Sequence, residues 1–342
     1  MPRLRKSVFL LLLLLPLPVF FLSLTIGSYQ IPFDELLAIL FQGIAPFLNS
    51  DSSQTQIYRD VIFMIRLPRI LLALFGGIAL SVSGASLQSV FKNPLVDSYI
   101  LGLSAGAGLG AALAIAFLPN IIGLTQLFAF LFSFMAFMLT YFVARDRGQA
   151  STVSLVLAGV IVTALFSAAL SMIKFFTVPE KLSSVVYWLM GSMAVSGWKE
   201  VLYSVPLILL SFLIITLMRW RLNVLSMGDE EAKSLGINVE RDRLVVLLTT
   251  TLMVSSFVSV AGIIGWVGLV IPHLVRMLVR TPDNRIVIPI SASLGGVFLL
   301  LADDVARSLT SYELPVGVIT TIIGAPFFLY LLKKRGGGSW RQ

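Results

Sequence analysis

The 342-residue sequence contains no cysteine and one histidine, His273. Disulfides, thiolate nucleophiles and cysteine metal sites are thereby excluded, and so is a histidine cluster. Charged residues make up only 12% of the chain, where soluble globular proteins carry roughly 25%. No phosphate-binding G-x-x-x-x-G-K-[ST] loop occurs, because the glycines of GGGSW near the C-terminus lack the lysine and a following helix. H-E-x-x-H and G-x-S-x-G are absent too. An intramembrane enzyme would have no nucleophile and base to work with. Paired carboxylates deep inside apolar runs are also not expected. A charge at the bilayer centre costs at least about 2.5–3.5 kcal/mol and is retained only for use. Proton or sodium coupling is therefore disfavoured, which makes an ion-coupled secondary transporter of a small solute the alternative reading rather than the first.

What is present is apolar: 57% of residues are hydrophobic. Runs of about 20 such residues, enough for a hydrocarbon core of roughly 30 Å, recur from end to end. The expected fold is all-α, a polytopic membrane protein forming one domain over residues 1–342. The spans read as Ser7–Ile26, bent at Pro16 and Pro18, then Ile70–Val90, Ile100–Leu118, Ile121–Val143, Val153–Ile173 and Val201–Met218. Leu244–Ala261, Ile264–Val275, Val287–Leu301 and Val316–Leu332 bring the number to about ten. With the N-terminus inside, most of the 25 lysines and arginines gather on the inner side. Only Arg59, Arg66, Arg69, Lys174, Lys181, Lys199 and Arg307 fall outside. By the positive-inside rule both termini are cytoplasmic. The net charge of +8 thus marks topology and not a nucleic-acid partner.

The longest charge-rich interruption is Arg219–Arg243, on the cytoplasmic side. Asp229 is placed to cap a short helix with Glu230 and Glu231 in its first turn, Gly236 to stop it in the left-handed conformation, and Asn238 to cap the next helix. A helix of about two turns is marginal in water and needs a support. A docking element for a soluble partner and a solvated connector both fit.

Three smaller features stand out. Arg66, Arg69 and Arg307 lie at span mouths on the side poor in basic residues, suited either to a partner's carboxylates or to snorkelling and, for Arg307, pairing with Asp303, Asp304 or Glu313. Gly84 with Pro94 and Gly262 with Pro272 repeat one spacing in segments of opposite direction, a weak inverted repeat of the transporter type or a coincidence. His273, beside Pro272, reads as bonded at a helix break and not as a ligand.

In order along the chain, RLPR at Arg66–Arg69, SGxxxQ at Ser83–Gln88, NPL at Asn93–Leu95, LGLSAG at Leu101–Gly106, LAG at Leu157–Gly159 and WLMGS at Trp188–Ser192 resemble a known family. GDEEAKSLG at Gly228–Gly236, VGLVIPHLVR at Val267–Arg276, LADDVAR at Leu301–Arg307 and ELPVGVITTIIGAPFF at Glu313–Phe328 continue the likeness. The family is that of the permease subunits of ATP-binding-cassette importers for iron-siderophores, haem and cobalamin. Ser98 stands where proline is frequent, Trp266 where phenylalanine is usual and Asn284 where histidine is common.

The resemblance implies a homodimer in the cytoplasmic (inner) membrane, two cytoplasmic ATPase subunits that bind ATP and Mg, and an extracytoplasmic substrate-binding protein. No cofactor or metal is expected in this chain itself. Asp229, Glu230, Glu231, Ala232, Leu235 and Gly236 would form the ATPase-coupling helix. Arg66, Arg69 and Arg307 would dock the binding protein. Gln88, Asn93, Pro94, Ser151 and Thr152 would line or gate the pathway. The expected cargo is a metal chelate, iron-siderophore first, with haem, cobalamin and molybdate or tungstate behind it.

Overall fold

The computed structural model describes residues 6–27, 29, 31–41, 53–146, 149–194, 196–310 and 312–335. The basic residues Arg3, Arg5, Arg147 and Arg341 and the GGGSW segment lie outside them. The chain forms helices α1 (Lys6–Leu14), α2 (Pro16–Thr25), α3 (Phe33–Phe41), α4 (Ser53–Asp60), α5 (Leu67–Val90), α6 (Leu103–Phe117), α7 (Leu124–Ala144), α8 (Thr152–Phe176) and α9 (Pro179–Leu189). After these come α10 (Trp198–Leu217), α11 (Arg219–Met227), α12 (Asp229–Ser234), α13 (Val239–Ala261), α14 (Val267–Val279), α15 (Asn284–Ser308) and α16 (Val316–Arg335). A π-helical turn, Val61–Arg66, joins α4 to α5, and a two-residue ladder pairs Arg145–Asp146 with Gln149–Ala150.

Among the described residues, seven helical segments are long and apolar enough to cross a membrane, and three shorter apolar helices, α6, α14 and α16, bring the number to the expected ten. α5, α13 and α15 form the interior: 78% of the apolar window of α5 is buried and 72% in each of the other two. α7, α8 and α10 are only about one third buried and present Leu, Val, Ile and Phe outward, as lipid-facing and subunit-facing surfaces do.

The interior helices approach closely because glycine lines their contacts. A Cβ on Gly77 would lie 2.1 Å from the carbonyl oxygen of Gly295, and one on Gly84 1.9 Å from that of Gly268. Close approach of this kind replaces the hydrophobic driving force that is missing between helices in lipid. Ser81 Oγ adds an interhelical bond, donating to Ser291 O at 2.7 Å.

The two copies of the Gly–Pro spacing lie on segments that pack against each other but occupy different places. Gly84 is inside α5 with Pro94 beyond its end, whereas Gly262 closes α13 and Pro272 is inside α14. The break between α13 and α14 ends on Trp266, a non-glycine residue at φ 74°. Such a residue costs roughly 1–3 kcal/mol and needs surrounding support. Support comes from α16, where a Cβ on Gly324 would meet the Trp266 side chain at 2.6 Å. Nearby, His273 is buried and packs edge-on to Phe328.

Candidate functional site

The charged stretch folds into more than one short helix. α11 precedes the expected one and buries Leu222, Val224 and Leu225. Asn223 anchors it, donating to Asp283 at 2.6 Å and accepting from the backbone of Asn284 at 2.8 Å. Asn284 is buried at the start of α15, where its Oδ1 accepts from Ser89 of α5.

α12 begins one residue earlier than a cap at Asp229 would place it. Gly228 holds the cap position and Asp229 is the first helical residue. Glu230 and Glu231 occupy the first turn, where the partial positive charge of the helix end favours them. Gly236 stops the helix at φ 78°, and Asn238 caps α13 by accepting from the backbone of Arg241 at 3.0 Å. The support that so short a helix requires is Ala232, which is 0% exposed. Ala232 therefore faces this chain's own core and supports the helix from within. Glu230, Glu231, Leu235 and Gly236 are exposed, with Leu235 at 53%.

Asp229 is half-exposed and bonded on both carboxylate oxygens. Its carboxylate accepts from Lys92 Nζ at 3.1 Å and from Arg243 Nη2 at 2.6 Å. Partial burial acts to raise the pKa of this carboxyl, but the bonds and charges of Arg243 and Lys92 outweigh it and hold the group below the ordinary carboxylate value. Arg243, at 3% side-chain exposure, also donates to Ala150 O at 2.8 Å and Glu240 Oε1 at 3.2 Å. Glu240 Oε2 in turn accepts from Ala150 N at 3.3 Å. Ser151 follows directly and caps α8, accepting from the backbone of Ser154 at 3.0 Å. Ser151 is exposed and Thr152 half-exposed.

Gln88 is buried, so it lines no open passage within the single chain. It donates to Val96 O at 3.1 Å and Gly268 O at 3.3 Å, and accepts from Arg276. It ties α5, the link after it and α14 together. Asn93 is exposed and closes its own turn, Oδ1 accepting from Leu95 N at 2.9 Å. Ser98 donates to Leu80 O at 2.9 Å, a bond that a proline could not make.

At the opposite ends of α5 and α15 the three exceptional arginines meet. Arg66, Arg69 and Arg307 are 4–5% exposed. Arg69 grips Asp303 through Nε and Nη2 at 3.0 and 2.9 Å and reaches Glu313 at 2.8 Å. Arg307 donates to Ser23 O at 2.5 Å and to Asp304, and Ser23 Oγ donates to Asp304 at 2.6 Å. Arg66 donates to Leu24 O at 2.5 Å and to Tyr29 O. These guanidiniums are buried and engaged within the chain, and Arg307 pairs with Asp304 as one of its two readings has it. Asp303 and Asp304, near the end of α15 and beyond the expected span, are buried beside these arginines, whose opposite charges offset the cost of burial.

A cleft of about 700 Å³ opens at this same end. Asn120, Thr125, Gln126, Ser183, Ser184, Tyr187 and Ser192 line it, and Glu200 is the one charged residue in its wall. Among the described residues no cluster of His, Asp or Glu could hold a metal ion.

Residues 11–334 match the FecCD transport family. A molybdate import system permease protein of Haemophilus influenzae is 41% identical over 320 residues, covering 92% of this chain and 93% of that one. A probable iron chelatin transport system permease protein of Helicobacter pylori is 42% identical over 278 residues, covering 81% and 83%. A solved structure described as an inward-facing metal-chelate type ABC transporter superposes with a TM-score of 0.85 at 36% identity, over 96% of this chain and all of that one.

Proposed function

The chain belongs to the FecCD transport family, and from that premise we propose that it is the membrane-spanning permease of an ATP-driven importer whose cargo is a metal chelate, iron-siderophore first. The chain is an ABC transporter permease, a transport component. The observation that carries the fuller reading is α12: a short, acidic-fronted helix held from below by Ala232, with Glu230, Glu231 and Leu235 turned outward. The sequence holds no phosphate loop of its own, so a separate ATPase is the matching source of energy. A second copy of the chain would complete the pathway along a twofold axis, in the inner membrane. A substrate-binding protein would deliver cargo at the end where the cleft opens.

The cleft supports a chelate over a bare oxyanion. Among the described residues its wall mixes hydroxyl and amide groups with Ile115, Ile121, Ile122, Trp188 and Val260, and holds Glu200 but no lysine or arginine, which suits a bulky complex with apolar and oxygen-rich faces better than a small anion. Relatives named for molybdate and for iron chelatin are equally similar to this chain, so identity alone does not choose between cargoes. The deciding experiment reconstitutes the permease with its ATPase and binding protein in vesicles and measures ATP-dependent uptake of ferric siderophore, haem, cobalamin and molybdate. Uptake of the ferric siderophore that stops on ATP depletion is expected. Uptake without an ATPase, abolished by ionophores, would overturn the reading in favour of a secondary transporter.

A further inference from the structure

The pathway candidates Asn93–Pro94 and Ser151–Thr152 sit on different helix ends, and in each case the residue immediately before them is bonded into a network centred on Asp229. Lys92 Nζ holds one carboxylate oxygen of Asp229 and Arg243 holds the other. Arg243 and Glu240 between them occupy both backbone groups of Ala150, its carbonyl and its N–H. We propose that Asp229 and Arg243 are positioning residues that carry displacement of α12 to the start of α8 and, more loosely, to the end of α5. This rests on the reading of α12 as the element that an ATPase moves.

The covalent route from α12 to α13 turns through Gly236, which is left-handed, and is closed by Ile237 N–H donating to Ala232 O at 3.1 Å. The bond between Asp229 and Arg243 is a second tie across that turn, and unlike the first it leads on to Ala150. It is short and charge-assisted and joins the half-exposed Asp229 carboxylate to a guanidinium with 3% exposure, so that one of its two partners is held in the interior, where such bonds are stronger. The arm to Lys92 joins side chains exposed at 37% and 42%, and exposed pairs hold weakly. The two arms therefore differ in stiffness, and α8 follows α12 more closely than α5 does.

The absence of cysteine from this chain allows a direct test. Val153, 67% exposed in the first turn of α8, is replaced by cysteine, and maleimide labelling of the permease is timed in vesicles carrying the complex, without nucleotide and with ATP plus vanadate. A severalfold difference between the two states is expected for V153C alone. Adding Arg243→Gln should collapse that difference while ATP hydrolysis continues. Because a buried arginine variant can fail to fold, Asp229→Ala is measured as well, in complexes isolated through a tag on the ATPase, and should also lose the difference. Full retention of the nucleotide response in Asp229→Ala or Arg243→Gln overturns the proposal. Absence of any nucleotide response in V153C alone, or failure of an ATPase to assemble with it, instead overturns the reading of α12 and removes the basis of this one.

Discussion

Arg69 of α5 and Asp303 of α15 form a buried, two-pronged ion pair across 234 positions of sequence. Glu313 closes the other side of the same guanidinium, and its side chain remains 38% exposed. The cluster fastens α2, α5, α15 and the link to α16 at one end of the molecule. As a docking surface it offers Glu313 at its edge and buried arginines beneath.

Removing one partner of a buried pair strands the other charge. Arg69→Ala should destabilise the protein by about 3–5 kcal/mol, whereas Glu313→Gln, at an exposed carboxylate, should cost no more than about 1 kcal/mol. Thermal unfolding followed by fluorescence-detected size exclusion in detergent measures both. Equal losses from the two substitutions would mean that Glu313, not Asp303, holds the arginine.

Ala232 and Leu235 divide the work of α12. Ala232→Leu forces a larger side chain into a filled site and should lower stability by about 1–3 kcal/mol. Leu235→Ala should leave the melting temperature unchanged and reduce the amount of ATPase that co-purifies. If Leu235→Ala retains all of the ATPase and charge reversal at Glu230 and Glu231 does too, the exposed face of α12 is not the docking surface.

Gly77 and Gly84 set the spacing of the interior helices. Substitution of either by alanine brings a Cβ to 2.1 or 1.9 Å of a backbone oxygen on the facing helix, and backbone cannot yield as a side-chain tip does. Loss of monodisperse protein is expected for Gly77→Ala and for Gly84→Ala, but not for Gly265→Ala, where nothing lies within 4 Å and the backbone is not left-handed. A Gly77→Ala protein of normal melting temperature would argue against the close contact.

The pH dependence of the Asp229 link follows from the direction of its pKa. A carboxyl held below its unfolded value stabilises the fold above that value, about 3.9, and loses the contribution as pH falls through the lower folded value. The difference in melting temperature between native protein and Asp229→Asn should therefore stay constant from pH 8 to about pH 5 and vanish only below about pH 4. A difference that disappears near pH 5 would place the carboxyl on the other side of its ordinary value.

Much of this protein could be read from the order of its residues, wherever the cause is local. Apolar run length determined the spans, and lysine and arginine placement their expected direction. Gly236 and Asn238 ended and restarted helices as their conformational preferences require. The likeness of GDEEAKSLG and its companion motifs to the FecCD permeases was equally a property of sequence. Three features were not legible: α11, the inward turn of Ala232 with the bonding of Asp229 to Lys92 and Arg243, and the burial of Arg66 and Arg69, whereas for Arg307 pairing with a neighbouring carboxylate was one of the readings open. Each depends on which helices touch. Arg69 finds Asp303 because glycine contacts draw α5 and α15 together, and Lys92 finds Asp229 across 137 positions and Glu240 finds Ala150 across 90 only once the helix ends that carry them have packed. A charge near a span end has the same local signature whether it meets water, a partner or a buried counterion. The choice among them is made by packing, where the cost of burying a charge is offset only if its opposite is already in place.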